Sequence, residues 1–249
     1  MSNLNNKVAV ITGSARGIGK AIAERYGSLG ASVVVNYVAS EGPAQETVAA
    51  IKRLGGAATA IQADVSNVAD IDRLFAKTIE QYSHLDIVVA NAGLELVGKL
   101  MTDITEAEFD RLFNVNTKGA FFTLARAAKY IADHGRIIYV GTSSTGFPMP
   151  GYSLYSGSKM APRFFVEVLA KELGPRGVTV NSILPTVTEG AGLSTDAVRP
   201  QAREFVRTFN PMQRVGTVGD VADAAEYLAS DLSAFVSGQH LLLSGGGPA

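Results

Sequence analysis

The 249-residue sequence has no cysteine, no tryptophan, three histidines and no long apolar run. Without cysteine there is no disulfide, no thiolate nucleophile and no thiolate metal site. His84, His134 and His240 stand apart with no ligand spacing, so no metal centre is expected. Charge is sparse and balanced: 22 Lys and Arg face 23 Asp and Glu, a formal net charge of −1 with no basic cluster. Nucleic acids and acidic membranes require a positive face, so neither is an expected partner. No apolar stretch reaches the ~18 residues of a membrane span. Residues 1–6 are polar and lack the apolar core of a signal peptide, which makes the cytoplasm the expected location.

What is present is a repeating alternation. Short Val- and Ile-rich runs at 8–12, 32–36, 57–62, 86–90, 136–140, 179–184 and 240–243 read as strands covered on both faces. Helical patterns fill the intervals at 17–29, 43–54, 68–82, 121–131, 164–173 and 218–229. This order predicts an α/β fold, a doubly wound parallel sheet of about seven strands with helices on both faces. No linker or internal repeat divides the chain, so 1–249 reads as one domain.

Ligands of such sheets bind at the carboxyl ends of the strands. The first strand runs into Thr12, Gly13, Ser14, Ala15, Arg16, Gly17, Ile18 and Gly19, where a helix opens. Glycines there allow a tight turn and let backbone amides approach a pyrophosphate at the positive helix end. The second strand ends Asn36, Tyr37, Val38, Ala39, Ser40, with no acid before Glu41. An acid at that place accepts the ribose 2′-hydroxyl of NAD(H). Its absence, with Arg16, Asn36, Tyr37 and Ser40 available to a 2′-phosphate, favours NADP(H) over NAD(H).

With these motifs the chain resembles the classical short-chain dehydrogenase/reductase family almost end to end. The matching residues are the glycine motif 12–19, the pair Asp64 and Val65, the sequence Asn91, Ala92, Gly93, then Asn116, Ser143, and Tyr155 with Lys159 in Y-x-x-x-K. Residues 33–66 resemble its NADPH-using ketoacyl reductase branch. The resemblance implies a Rossmann-type fold and hydride transfer between NADP(H) and a small-molecule carbonyl or alcohol. It also implies adenine contacts at Asp64 and Val65, cofactor contacts at Asn91, Ala92 and Gly93, and carboxamide contacts around Pro185, Val187 and Thr188. Asn116 would hold a proton-relay water, and Lys159 would hold the nicotinamide ribose as well as assist Tyr155. The helices near 113–132 and 154–174 would pair between subunits of a homodimer or homotetramer.

The chemistry suits these residue types. A free tyrosine has a pKa of roughly 10 and transfers protons poorly near neutrality. A lysine one helical turn away is expected to favour the phenolate and lower that value. Small residues 156–158 leave room for ligands beside that helix. Ser143 is expected to donate to the carbonyl oxygen as negative charge builds there. The family commonly places this serine thirteen residues before the tyrosine, where Thr142 stands, while Ser143 keeps the S-x-x-G relation to Gly146. Thr142 and Ser144 therefore stay open as alternatives. Pro162 should bend the helix after Lys159. Thr186 replaces the family's glycine after Pro185, and Ser244 its usual aspartate.

Residues 186–209, with Gly190 and Gly192 near their start, read as a substrate lid. The pocket beneath would be walled by 94–97, 142–145 and 149–152, mostly apolar with Glu95 and Tyr152 among them. An acyl-carrier thioester would need a basic patch, for which Lys99, Arg199, Arg203 and Arg207 are the local candidates. Two other readings remain: a nucleotide-sensing regulator without chemistry, and an epimerase or dehydratase that retains its cofactor.

Overall fold

A computed structural model describes residues 2–192, 204, 206 and 208–247. Among them the strands are β1 Val8–Ile11, β2 Ser32–Tyr37, β3 Ala57–Gln62, β4 Ile87–Ala90, β5 Arg136–Val140, β6 Thr179–Pro185, β7 Thr188–Glu189, β8 Gly216–Thr217 and β9 His240–Leu243. The helices are α1 Gly17–Ser28, α2 Glu41–Arg53, α3 Val68–Tyr82, α4 Glu106–Phe113, α5 Ala120–Tyr130, α6 Ser153–Leu173 and α7 Val218–Ala229. Seven strands form one parallel sheet in the order β3-β2-β1-β4-β5-β6-β9, and β7 pairs separately with β8.

The two-residue side-chain period of a strand divides the core between the faces of this sheet. Ala9 and Ile11 of β1 join Ile22, Tyr26, Val221 and Leu228 on the face covered by α1, α2 and α7. Val8 and Val10 join Leu74, Phe75, Leu124 and Val166 on the face covered by α3, α5 and α6. Each Val, Leu, Ile or Phe among them stabilises the fold by roughly 1.5–3 kcal/mol on burial. The winding reverses between β1 and β4, which opens a crevice at their carboxyl ends.

Pro162 does not end α6, which runs unbroken from Ser153 to Leu173. A proline at 162 leaves the carbonyl of Ser158 without its intrahelical N–H. Thr117 fills the gap: its Oγ1 donates to Ser158 O at 2.7 Å. Thr117 lies in the π-helical turn Asn114–Gly119 that joins α4 to α5. Such turns carry an extra residue and are frequent at functional sites. The proline therefore ties α6 to the turn that carries Asn116.

Thr117→Val should cost about 1–3 kcal/mol in urea unfolding, because Ser158 O is left buried without this donor. In a Pro162→Ala background the restored N–H takes that carbonyl, and the same substitution should cost less than half as much. Equal costs in the two backgrounds would refute the pairing.

Candidate active site

The glycine loop is held by hydrogen bonds from both neighbouring strands. Thr12 Oγ1 accepts from the amides of Asn91 and Ala92, each at 3.0 Å. Asn91 Nδ2 returns bonds to Thr12 O at 2.9 Å and Gly13 O at 3.2 Å. Gly13 and Gly17 take φ values of 64° and 60°, and a Cβ at Gly19 would lie 2.5 Å from Gly13 O. Ser14 is fully buried, donating from Oγ to Ile11 O and accepting there from Asn36 N.

Asn36 is 1% exposed, and its side chain is committed to this scaffold. Its Oδ1 accepts from Gly13 N at 3.1 Å, and its Nδ2 donates to Ala63 O at 3.0 Å and Ile61 O at 3.3 Å. The expectation that Asn36 receives a 2′-phosphate is corrected accordingly: it shapes the loop instead. Arg16 is exposed at the N-terminus of α1 and forms no ion pair among the described residues. Ile18 packs onto the core under the loop. Tyr37 is half-buried, and Ser40 precedes α2 without forming a cap bond. Asp64 gives one carboxylate oxygen to the amide and hydroxyl of Ser66, both at 2.8 Å, and Val65 is buried beside it. A positive helix end and an uncommitted guanidinium fit the phosphates of a dinucleotide.

Lys159 is 4% exposed, and its Nζ donates to Val140 O at 3.1 Å. It sits 5.3 Å from the centre of the Tyr139 ring, a cation–π distance. A Cβ on Gly93 would come within 2.8 Å of this Nζ and 3.2 Å of Asn116 Oδ1, so glycine is the residue that fits there. Asn116 clamps the backbone after Gly93: Oδ1 accepts from Leu94 N at 2.8 Å, and Nδ2 donates to Leu94 O and Ser158 Oγ, both at 2.9 Å. Burial lowers the Lys159 ammonium to a pKa of about 8, with the Glu95 carboxylate opposing the shift.

Tyr155 carries one correction. Burial, aided by the negative charge of Glu95, pushes its hydroxyl above the ordinary tyrosine range, where depression by Lys159 was expected. The Thr142 hydroxyl acts in the opposite sense and favours the phenolate. Thr142 caps the 3₁₀ turn Ser143–Thr145, and its Oγ1 also lies 3.1 Å from Ser144 Oγ. Ser144 Oγ in turn accepts from Ser156 Oγ at 2.9 Å, while the Ser143 hydroxyl makes no hydrogen bond among the described residues.

Beyond Pro185, Thr188 Oγ1 donates to Thr186 O at 2.8 Å and Val187 packs on Val206 and Val215. Pro185, Thr186 and Thr188 line a cavity of about 330 Å³ with Asn210, Arg214 and Ser244, but none of Asn116, Thr142, Tyr155 or Lys159 borders it. In the expected lid, residues 193–203, 205 and 207 lie outside the described residues, as do the basic candidates Arg199, Arg203 and Arg207. Lys99 is already paired with Glu108 at 2.7 Å. His240, unassigned from sequence, bridges Ser182 Oγ at 2.7 Å and Glu167 Oε1 at 2.9 Å, tying β9 to β6 and α6.

A doubly wound sheet, a glycine loop at its switch point and a Tyr–Lys pair beside that loop define a nicotinamide-dependent oxidoreductase acting on alcohol and carbonyl groups. Comparisons agree. The family model described as enoyl-(acyl carrier protein) reductase matches residues 13–247. Elsinochrome reductase 1 of Elsinoe fawcettii is 41% identical over 261 residues, covering 98% of this chain and 95% of its own. Hydroxynaphthalene reductase-like protein Arp2 of Metarhizium brunneum is 38% identical over 98% of this chain and 96% of its own. The crystal structure of a short-chain dehydrogenase from Burkholderia cenocepacia J2315 in complex with NADP superposes with a TM-score of 0.91, at 34% identity over 98% of both chains. The chain belongs to the short-chain dehydrogenase/reductase family.

The lowered ammonium pKa has a consequence for stability. Between pH 8 and 10 the native protein binds fewer protons at Lys159 than the unfolded chain does, so this residue's contribution should rise with pH. The difference in unfolding free energy between wild type and Lys159→Met should therefore grow in favour of the wild type across that interval. Parallel curves would contradict a buried, depressed ammonium.

Proposed function

We propose that the protein reduces a ketone or aldehyde with NADP(H), using Tyr155 as the proton donor and Thr142 as the hydroxyl that holds the carbonyl oxygen. The observation that carries this reading is the half-buried Tyr155 phenol one helical turn from the buried Lys159 ammonium, with the Thr142 hydroxyl favouring its phenolate. NADP(H), when bound, supplies or takes the hydride. Tyr155 is neutral at pH 7 because burial opposes the phenolate, which suits it to give a proton to a developing alkoxide. The phenolate left behind needs a compensating cation, and Lys159, released from Val140 O, provides it. Thr142 donates to the carbonyl oxygen as charge builds, the role first expected of Ser143. Asn116 fixes the Leu94 backbone and the Ser158 hydroxyl, which holds the loop after Gly93 against α6.

For the cofactor, Arg16, Tyr37 and Ser40 are the groups placed to meet a 2′-phosphate, and the NADP complex of the Burkholderia relative supports that preference. Asp64 and Val65 would face the adenine, Asn91, Ala92 and Gly93 the adjoining ribose, and Pro185, Val187 and Thr188 the carboxamide. Phe121, Phe164, Met160 and Val168 are exposed on α5 and α6. An apolar surface of that kind supports a homodimer or homotetramer.

Tyr155→Phe should lower turnover of a carbonyl panel by about 10²–10⁴-fold while NADPH binding is retained. Thr142→Val should lower kcat roughly a hundredfold, and Ser143→Ala by only a few-fold; the reverse ranking would restore Ser143 to the role. NADPH should be preferred to NADH, with Arg16→Ala reducing that preference by about tenfold or more. A preference for NADH in the wild type would overturn the cofactor assignment.

A further inference from the structure

We propose that Ser144 and Ser156 are positioning residues of this site: a one-way chain of hydroxyls running from α6 fills the acceptor places of Thr142 and leaves its proton for the carbonyl oxygen. This rests on the carbonyl-reduction reading and extends it to two residues behind Thr142.

A hydroxyl has one proton to give and two lone pairs with which to accept. Ser156, directly after Tyr155 on α6, donates from Oγ to Ser144 Oγ at 2.9 Å. That bond takes one lone pair of Ser144 and leaves its proton for Thr142 Oγ1, 3.1 Å away. In the opposite direction Ser144 Oγ would accept from both neighbours, and its own proton would have no acceptor among the described residues. Thr142 Oγ1 also accepts from the backbone N–H of Ser144 at 3.3 Å, so both of its lone pairs are taken. Its backbone is fixed as well: Thr142 O accepts from Thr145 N at 3.2 Å and from Thr145 Oγ1 at 2.8 Å. With its acceptor places filled, the buried Thr142 hydroxyl is left to donate.

A donor whose rotor is already set needs no reorganisation as charge builds on the oxygen it faces. A hydroxyl that accepts hydrogen bonds is also polarised into a stronger donor. The influence of the Thr142 hydroxyl on Tyr155, which favours the phenolate, agrees with a proton offered outward. Because Ser156 is the chain neighbour of Tyr155, the same hydroxyls tie Thr142 to the helix that carries the proton donor.

Ser144→Ala should lower kcat for acetophenone reduction about tenfold and Ser156→Ala about threefold, as expected for one direct and one relayed hydrogen bond, with NADPH binding retained. Ser156→Thr, which keeps a hydroxyl, should restore what Ser156→Ala loses. In a Thr142→Val background no hydroxyl proton remains to be aimed, so adding Ser144→Ala should lower the residual turnover by less than about twofold. A full loss in that background as well marks a merely structural role and overturns the proposal. A second readout needs no turnover: the C=O stretch of acetophenone, ¹³C-labelled at the carbonyl, bound to NADP⁺-loaded protein. Ser144→Ala should move that stretch from its wild-type frequency towards the frequency in Thr142→Val, because a weaker donor perturbs the carbonyl less. An unmoved stretch in a protein that still reduces ketones refutes the hydroxyl chain and leaves the reduction reading standing. A stretch that moves as expected in a protein that reduces no ketone sinks the reduction reading and leaves the chain.

Discussion

The burial of one ammonium group organises the site. Lys159 is 4% exposed, and an unpaired charge so placed is unfavourable unless it is hydrogen-bonded. The protein meets this demand with Val140 O from β5, the Tyr139 ring below, and a loop whose Gly93 leaves space for Nζ. Asn116 then stands beside Lys159 and fastens that loop through Leu94. Its neighbours come from β5, the loop after β4 and the π-helical turn, so the lysine can be buried only when β4, β5, α6 and that turn are all in register.

The polar residues of the site divide into those that hold the scaffold and those that remain available. Asn36, Asn91, Asn116 and Thr12 spend their side chains on backbone groups, which rigidifies the strand ends. Arg16, outside that network, is free to meet an anion, and the Thr142 hydroxyl lies close enough to Tyr155 to favour its phenolate. Rigid holders with a few available groups make a preorganised site, in which donors are aimed before charge develops. Pro162 belongs to the same economy: its missing N–H is answered from the turn that carries Asn116.

Much of this was legible in the chain. Strands buried on both faces read as short Val- and Ile-rich runs, so β1, β2, β4, β5 and β6 were found within a residue or two. The glycine loop and the Tyr155–Lys159 spacing were equally plain, because both depend on local backbone geometry. Interactions between distant residues were not. Asn36 looked like a free polar group at a strand end, yet the pleat turns it onto Gly13 and Ala63. Gly157 and Pro162 obscured the first half of α6, since propensity disfavours both and packing overrides it. The direction of the Tyr155 shift also escaped, because burial depends on the assembled core and not on the neighbour four residues away.

The central claim is that this site delivers hydride and proton to a carbonyl. Incubating the protein with a ketone and NADPH deuterated at both C4 positions tests it most directly. The account predicts an alcohol with one deuterium on the carbinol carbon, formed in step with NADPH oxidation. NADPH oxidation that leaves the ketone unreduced, or an alcohol without deuterium on that carbon, would contradict it.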